Sequence, residues 1–140
     1  MPIRSLDPKS AHAEMQTSPG HVLLDVRTVE EFDAGHPAGA VNVPWALRDP
    51  ASGGMAPNPD FVPAVQKSVP AATRVYASCL GGVRSLNALR ALESAGYADL
   101  VNVDTGWGGK RDPSGRIVAP GWKDCGLPVG NERSTYEARG

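Results

Sequence analysis

The sequence predicts an α/β fold, with a parallel central sheet flanked by helices on both faces. Three observations carry that expectation. Four short apolar runs, at residues 21–26, 40–43, 74–78 and 100–103, have the length and composition of strands. Stretches with helical caps and helical spacing separate them. Strands that alternate with helices in this way pack as a parallel sheet covered on both sides. In such sheets ligands bind beyond the carboxyl ends of the strands. The segments starting at Arg27, Pro44, Cys79 and Asp104 should therefore gather at one edge.

Each element has a local reason. Asp7 can N-cap a helix with Pro8 at its first position, running to about Thr17. Ser18-Pro19-Gly20 breaks it, and residues 21–26 (HVLLDV) read as a buried strand. Thr28-Val29-Glu30-Glu31 has the form of a capping box, so a short helix should follow. Residues 40–43 are a second strand, ended by Pro44, and residues 49–57 a Gly/Pro-rich loop. Asn58-Pro59 should open a helix to about Ser68. After the strand at 74–78, a glycine-containing turn at 79–83 leads into a helix over 84–95. Leu86, Leu89 and Leu92 give that helix an apolar stripe, and Gly96 stops it. The strand at 100–103 precedes a Gly- and Pro-rich segment, 105–121, that carries Lys110, Arg111 and Arg116. Residues 122–125 form a last helical turn, and 131–140 are polar and expected to fray. The expectation is one domain over residues 1–130 with a polar tail over 131–140.

Composition narrows the function classes. A chain of 140 residues with 41% hydrophobic content can bury a core as one domain. Its net charge of −1 gives no global basic footprint for nucleic acid or a membrane surface. No run has the length of a membrane span, and the N-terminal residues lack the apolar run of a signal peptide, so the expected location is cytoplasmic. A monomer or weak dimer is expected. The two cysteines, Cys79 and Cys125, have neither a partner motif nor zinc-ligand spacing, so no metal site is expected and both should be free thiols.

Cys79 stands directly after a strand and directly before a helix. The intervening Leu80-Gly81-Gly82-Val83 can curl so that successive N–H groups point inward as an anion nest. The helix start adds its positive dipole end, Arg84 a fixed cation and Ser85 a hydroxyl. All four features should favour a thiolate, and equally a persulfide or a bound oxyanion, without a histidine. Free cysteines are often simply small buried hydrophobes, but position, nest and cation together argue for a nucleophile. Cys125 lies beside Asp124 and has none of these features.

This loop, Cys79-Leu80-Gly81-Gly82-Val83-Arg84-Ser85, resembles the active loop of the rhodanese-like domains: a Cys, four residues, then a basic or polar residue opening a helix. Leu24-Asp25-Val26-Arg27, Glu31-Phe32, Gly35-His36, Gly39-Ala40, Asn42 and Pro44 are similar to that family's N-terminal signature. Trp122 and Gly126-Leu127-Pro128-Val129 resemble its C-terminal ending. The segment from Thr105 to Arg116 departs from the family, which usually has a short Gly-Gly turn there. The resemblance implies a rhodanese-like fold and a sulfurtransferase that uses no cofactor. Cys79 and Arg84 would be catalytic, and Leu80, Gly81, Gly82, Val83 and Ser85 would bind the substrate. The implied partners are a small anionic sulfur donor such as thiosulfate, or a protein sulfur donor or acceptor. Dual-specificity phosphatases on a related scaffold have five residues between Cys and Arg; the four here favour sulfur, and disfavour a phosphatase or an arsenate reductase on the same scaffold. A non-catalytic regulatory module is the other alternative, and the intact Cys79 argues against it.

Five further residues have competing readings. Arg27 is a candidate to face the anionic site, whereas Asp25 is expected to pair with a local cation or cap amides. Trp107 is a candidate apolar rim for the acceptor, and Trp45 a weaker one; either residue equally suits covering the core. His36, in Gly35-His36-Pro37, is expected to bond backbone within a turn rather than to act in catalysis. The 105–121 segment, mobile by its glycines, is expected at the same edge as Cys79 and suited to acceptor choice.

Overall fold

The computed structural model describes residues 3–136. Its strands are β1 (Arg4–Leu6), β2 (Val22–Asp25), β3 (His36–Pro37), β4 (Val41–Asn42), β5 (Ala46–Arg48) and β6 (Met55–Pro57). They continue as β7 (Val75–Ser78), β8 (Leu100–Val103), β9 (Lys110–Arg111), β10 (Ile117–Ala119) and β11 (Val129–Gly130). The helices are α1 (Pro8–Gln16), α2 (Val29–Asp33), α3 (Phe61–Ser68) and α4 (Val83–Ser94), with a 3-10 turn at Trp122–Asp124.

Five strands form the central sheet in the order β1-β8-β7-β2-β4, and every pairing in it is parallel. β2, β7 and β8 lie in the middle and are apolar almost throughout, as strands covered on both faces must be. Their alternation sorts two cores. Leu24, Val75, Ala77 and Leu100 face α3 and α4, where Phe61, Val65, Ala88, Leu89 and Leu92 are buried. Leu23, Tyr76, Val101 and Val103 face the other way, onto Ala11 and Met15 of α1 and onto Trp122. Helices thus cover both faces, as the strand-helix alternation predicts.

The predicted caps are in place. Asp7 accepts from Ser10 N at 2.9 Å, and Pro8 opens α1. Thr28 and Glu31 bond each other's backbone in a full capping box. On the far side of α1, Glu14 accepts from both Arg4 nitrogens at 3.0 and 2.8 Å and from Tyr76 Oη at 2.6 Å, pinning the helix to β1 and β7.

Five features differ from the sequence expectation. β1 is an edge strand of three largely exposed residues, too short to leave an apolar signal. The expected 49–57 loop is instead the tip and second strand of a β5-β6 hairpin, closed by Asp49 N donating to Gly54 O at 2.7 Å. α3 begins at Phe61 rather than Asn58, because the buried Asn58 side chain donates to Pro44 O and accepts from Asp60 N, holding an entry turn. The 105–121 segment contains an ordered β9-β10 hairpin, whose turn Asp112 ties by accepting from Ser114 N and Arg116 N, both at 3.0 Å. Finally, residues 131–136 do not fray. Glu132 meets His36 Nε2, Ser134 donates to Asn42 Oδ1, and Tyr136 bonds Asn58 and Asp60. The rest of the expected tail, residues 137–140, lies outside the described residues.

Candidate active site

The parallel sheet carries the ends of β2, β7 and β8 to one edge, and the site assembles there from three consecutive turns. Cys79 follows β7, and α4 begins four residues later at Val83. The connecting turn needs glycine. Gly82 has φ +100°, and a Cβ on it would stand 2.1 Å from Asp104 O, at the end of β8. Gly106 has φ +57°, and its Cβ would fall 2.3 Å from Cys79 O. These close approaches let the post-β8 segment grip the cysteine turn. Trp107 N donates to Cys79 O at 2.7 Å, and Gly108 N to Leu80 O at 2.8 Å. The first residues of the 105–121 segment therefore lie at the edge that carries Cys79, as expected, but they are part of its support rather than a mobile appendage.

Cys79 is only 1% exposed. Its Sγ receives the Gly82 N–H at 3.1 Å and lies 3.4 Å from Ser85 Oγ, at the positive end of a twelve-residue helix. The glycine turn thus delivers a backbone donor to sulfur. Leu80 and Val83 turn their side chains outward, 46% and 72% exposed, so what they can offer a small substrate at Cys79 is backbone. A Cβ on Gly81 would stand 3.8 Å from Gly109 O, an ordinary contact.

Arg84 is half-buried and already engaged. Its guanidinium donates to both Glu31 oxygens, at 2.7 and 3.1 Å. The Glu31 bond raises its pKa, burial opposes this, and the negative charge of Glu31 and Cys79 adds to the rise. Burial would raise the Glu31 carboxyl, yet hydrogen bonds from Arg84 and Thr28 outweigh it and hold it at about 2. The capping box of α2 thereby orients the cation beside the cysteine.

Arg27 and Trp107 are turned to each other rather than out toward a ligand. Arg27, 2% exposed, donates to Asp25 at 2.8 Å and to Gly35 O at 2.7 Å. Its guanidinium also lies 5.1 Å from the centre of the Trp107 ring, and that ring packs on Gly35. The pair neutralises a buried carboxylate and braces the site edge. Asp25 has the local cation the sequence reading expected. Trp45 stands edge-on to Phe61 at 5.4 Å, covering the core. His36 bonds Phe32 O at 2.8 Å, a backbone partner within the turn. Cys125 is free and half-exposed in the 3-10 turn after Trp122. No cluster of metal-binding side chains occurs among the described residues.

Two residues were not singled out from the sequence as site residues. Glu31 stands out in the sequence as a capping residue and as part of the N-terminal signature, not as a partner of Arg84, from which 53 positions separate it. Asn102 was read only as part of a strand. Its Oδ1 accepts from Ser85 Oγ at 2.6 Å and its Nδ2 donates to Gly82 O at 3.3 Å. An amide inside the apolar run Leu100-Val101-Asn102-Val103 was the available signal, since buried polar groups need partners. Beside the turn, Leu80, Gly81, Gly108, Gly109, Arg111 and Lys123 line an open cavity of about 340 Å³.

Known proteins resemble this chain over the same region. The family model for the rhodanese-like domain matches residues 7–109. Thiosulfate sulfurtransferase 18 of Arabidopsis thaliana is 33% identical over 138 residues, 97% of this chain and 90% of the relative. Thiosulfate sulfurtransferase 16, chloroplastic, of the same plant is 39% identical over 88 residues, 63% of this chain and 72% of the relative. The crystal structure of Rv0390 from M. tuberculosis superposes with a TM-score of 0.77 at 28% identity, covering 94% of this chain and all of that one. The family-model match over residues 7–109, together with a relative 33% identical across nearly the whole chain, means that this chain belongs to the rhodanese-like domain family.

Proposed function

We propose that this chain is a thiosulfate sulfurtransferase that works through a persulfide on Cys79. The observation that carries the reading is the Gly82 N–H held 3.1 Å from Cys79 Sγ at the start of α4. A nucleophilic sulfur and an anionic sulfane sulfur both need such a donor. The relatives named as thiosulfate sulfurtransferases support the choice of donor.

The steps balance without a redox partner. The Cys79 thiolate attacks the outer sulfur of thiosulfate, the S–S bond breaks, and sulfite leaves with the bonding pair. Cys79 then carries one extra sulfur as a persulfide anion. A thiophilic acceptor attacks that outer sulfur, and Cys79 departs as the thiolate it began as. The turn from Leu80 to Val83 and Ser85 surrounds the transferred sulfur, while Arg84, oriented by Glu31, supplies positive charge to the anions on either side of the step. Arg27 acts as a support, because its guanidinium is already bound by Asp25 and Gly35 O, and Trp107 supplies the ring it packs against. The acceptor approaches beside the Leu80 wall, where Arg111 and Lys123 line the cavity and suit an anionic thiol or an acidic protein surface.

Turnover of thiosulfate with cyanide as acceptor tests this reading. Cys79→Ala is expected to abolish it and Cys125→Ala to leave most of it. Full activity in the Cys79 variant would defeat the proposal.

A further inference from the structure

Ser85 has one hydroxyl proton and three candidate acceptors: Asn102 Oδ1 at 2.6 Å, Gly82 O at 3.1 Å and Cys79 Sγ at 3.4 Å. Which one takes it depends on which way the Asn102 amide faces. Gly82 O is a carbonyl and can only accept, so the Asn102 NH₂ must face it, at 3.3 Å. That orientation leaves Oδ1 toward Ser85. The short bond to Oδ1 then takes the serine proton, and the second-nearest acceptor is again not sulfur. What Ser85 presents to Cys79 is a lone pair. Ser85, Asn102 and Cys79 are all buried, at 0%, 4% and 1% exposure, so water does not supply an alternative partner readily.

We propose that Asn102 is a positioning residue for Cys79: it draws the Ser85 proton away from the sulfur and, by gripping Gly82 O, keeps the Gly82 N–H as the donor to the thiolate. Ser85 then accepts from the thiol S–H and does not donate to the thiolate. The carbonyl of Gly82 is held by Asn102 Nδ2, while its N–H points at Sγ. That grip fixes a glycine whose φ of +100° no other residue adopts easily. The parallel pairing of β7 with β8 places Asn102 opposite Ala77, two residues before the nucleophile. One strand thus bears the sulfur and its neighbour bears the group that sets the sulfur's hydrogen bonding.

The test is the pH profile of Cys79 alkylation by iodoacetamide, read by peptide mass spectrometry. It needs no sulfur transfer, so it succeeds or fails independently of the thiosulfate reading, although the proposal takes Cys79 to be the reactive thiol. The charged groups around the turn are Arg84 with Glu31 from α2, Arg27 with Asp25 after β2, and Asp104 after β8. All remain in every variant. Ser85→Ala removes a group that favours the thiol, so the alkylation midpoint is expected to move down. If Ser85 instead donates to the thiolate, the midpoint moves up, and either a rise or no change overturns the proposal. Asn102→Ala leaves the Ser85 proton to Gly82 O, the next-nearest acceptor, and releases the amide grip that aims the Gly82 N–H at sulfur, so the midpoint is expected to move up; an unchanged or lowered midpoint overturns the proposal. The two single variants are thus expected to shift the midpoint in opposite directions, a split that a merely structural Asn102 would not produce. Loading from thiosulfate in Asn102→Ala is expected to fall roughly 10–100-fold, the range typical of residues one contact removed from a reacting centre. Should Asn102→Ala not fold, Asn102→Thr, which suits a strand and lacks the amide that holds Gly82 O, takes its place.

Discussion

Glu31 and Arg84 form a two-pronged ion pair, with oxygen-nitrogen distances of 2.7 and 3.1 Å, that ties the first turn of α2 to the first turn of α4. The same carboxylate closes the α2 capping box by accepting from Thr28 N. A helix cap and the cation beside the nucleophile are therefore one unit, and its response to acid follows. The folded Glu31 carboxyl, at about 2, lies below its ordinary 4.5. A depressed carboxyl contributes stability above the ordinary value and loses it as pH falls toward the folded one. The difference in melting temperature between the wild type and Glu31→Gln should be full above about pH 4.5 and shrink toward about pH 2. A difference that is constant across that window would contradict the pair's role.

Arg84→Ala is expected to lose roughly 10²–10³ in kcat/KM with thiosulfate, comparable to removing one oxyanion donor. The loss should be smaller with an uncharged sulfur donor. Steady-state kinetics with both donors checks this. Equal losses would assign Arg84 to holding the turn through Glu31, with no part in meeting the anion.

Glycine positions should separate sharply by what a Cβ would meet. Gly82→Ala drives a Cβ against Asp104 O at 2.1 Å from a φ of +100°. Gly115→Ala, at φ +89°, meets open space in the hairpin turn. Denaturant melts should show only the backbone strain for Gly115→Ala, roughly 1–3 kcal/mol. Gly82→Ala should cost more and should also abolish loading of Cys79. Matching losses would mean that the close approach of β8 to the turn is unimportant.

The β9-β10 hairpin should divide function at Gly109. Shortening it between Arg111 and Ile117 leaves the Trp107 and Gly108 bonds to the cysteine turn intact. Loading from thiosulfate should survive while transfer to an anionic thiol slows. Extending the cut to Gly108 removes the donor to Leu80 O, and loading should then slow as well. Rapid-quench measurement of the two half-reactions decides it; identical effects of the two cuts would contradict the division.

Much of this architecture was legible because it is local. Asp7, Pro8 and the Thr28–Glu31 box announce helix starts through side chains three residues from the amides they cap. The runs VLLD and LVNV, buried on both faces, read as central strands. The cysteine turn was legible because glycine, helix start and arginine are contiguous. Pairings across the chain left no such trace. β1 shows only when Leu6 meets Val103, and the hold on residues 131–136 only when Ser134 meets Asn42. Arg27 looked available for a ligand because nothing local reveals that Trp107, eighty positions on, lies against its guanidinium. Asn102 needed the strand order itself, since its partners Ser85 and Gly82 reach it only through the parallel pairing of β7 and β8.

Intact-protein mass spectrometry after thiosulfate tests the persulfide account most directly. The account predicts one added sulfur atom on Cys79, removed by cyanide, retained in Cys125→Ala and absent from Cys79→Ala. Added sulfur that persists in Cys79→Ala, or no addition to the wild type, would contradict it.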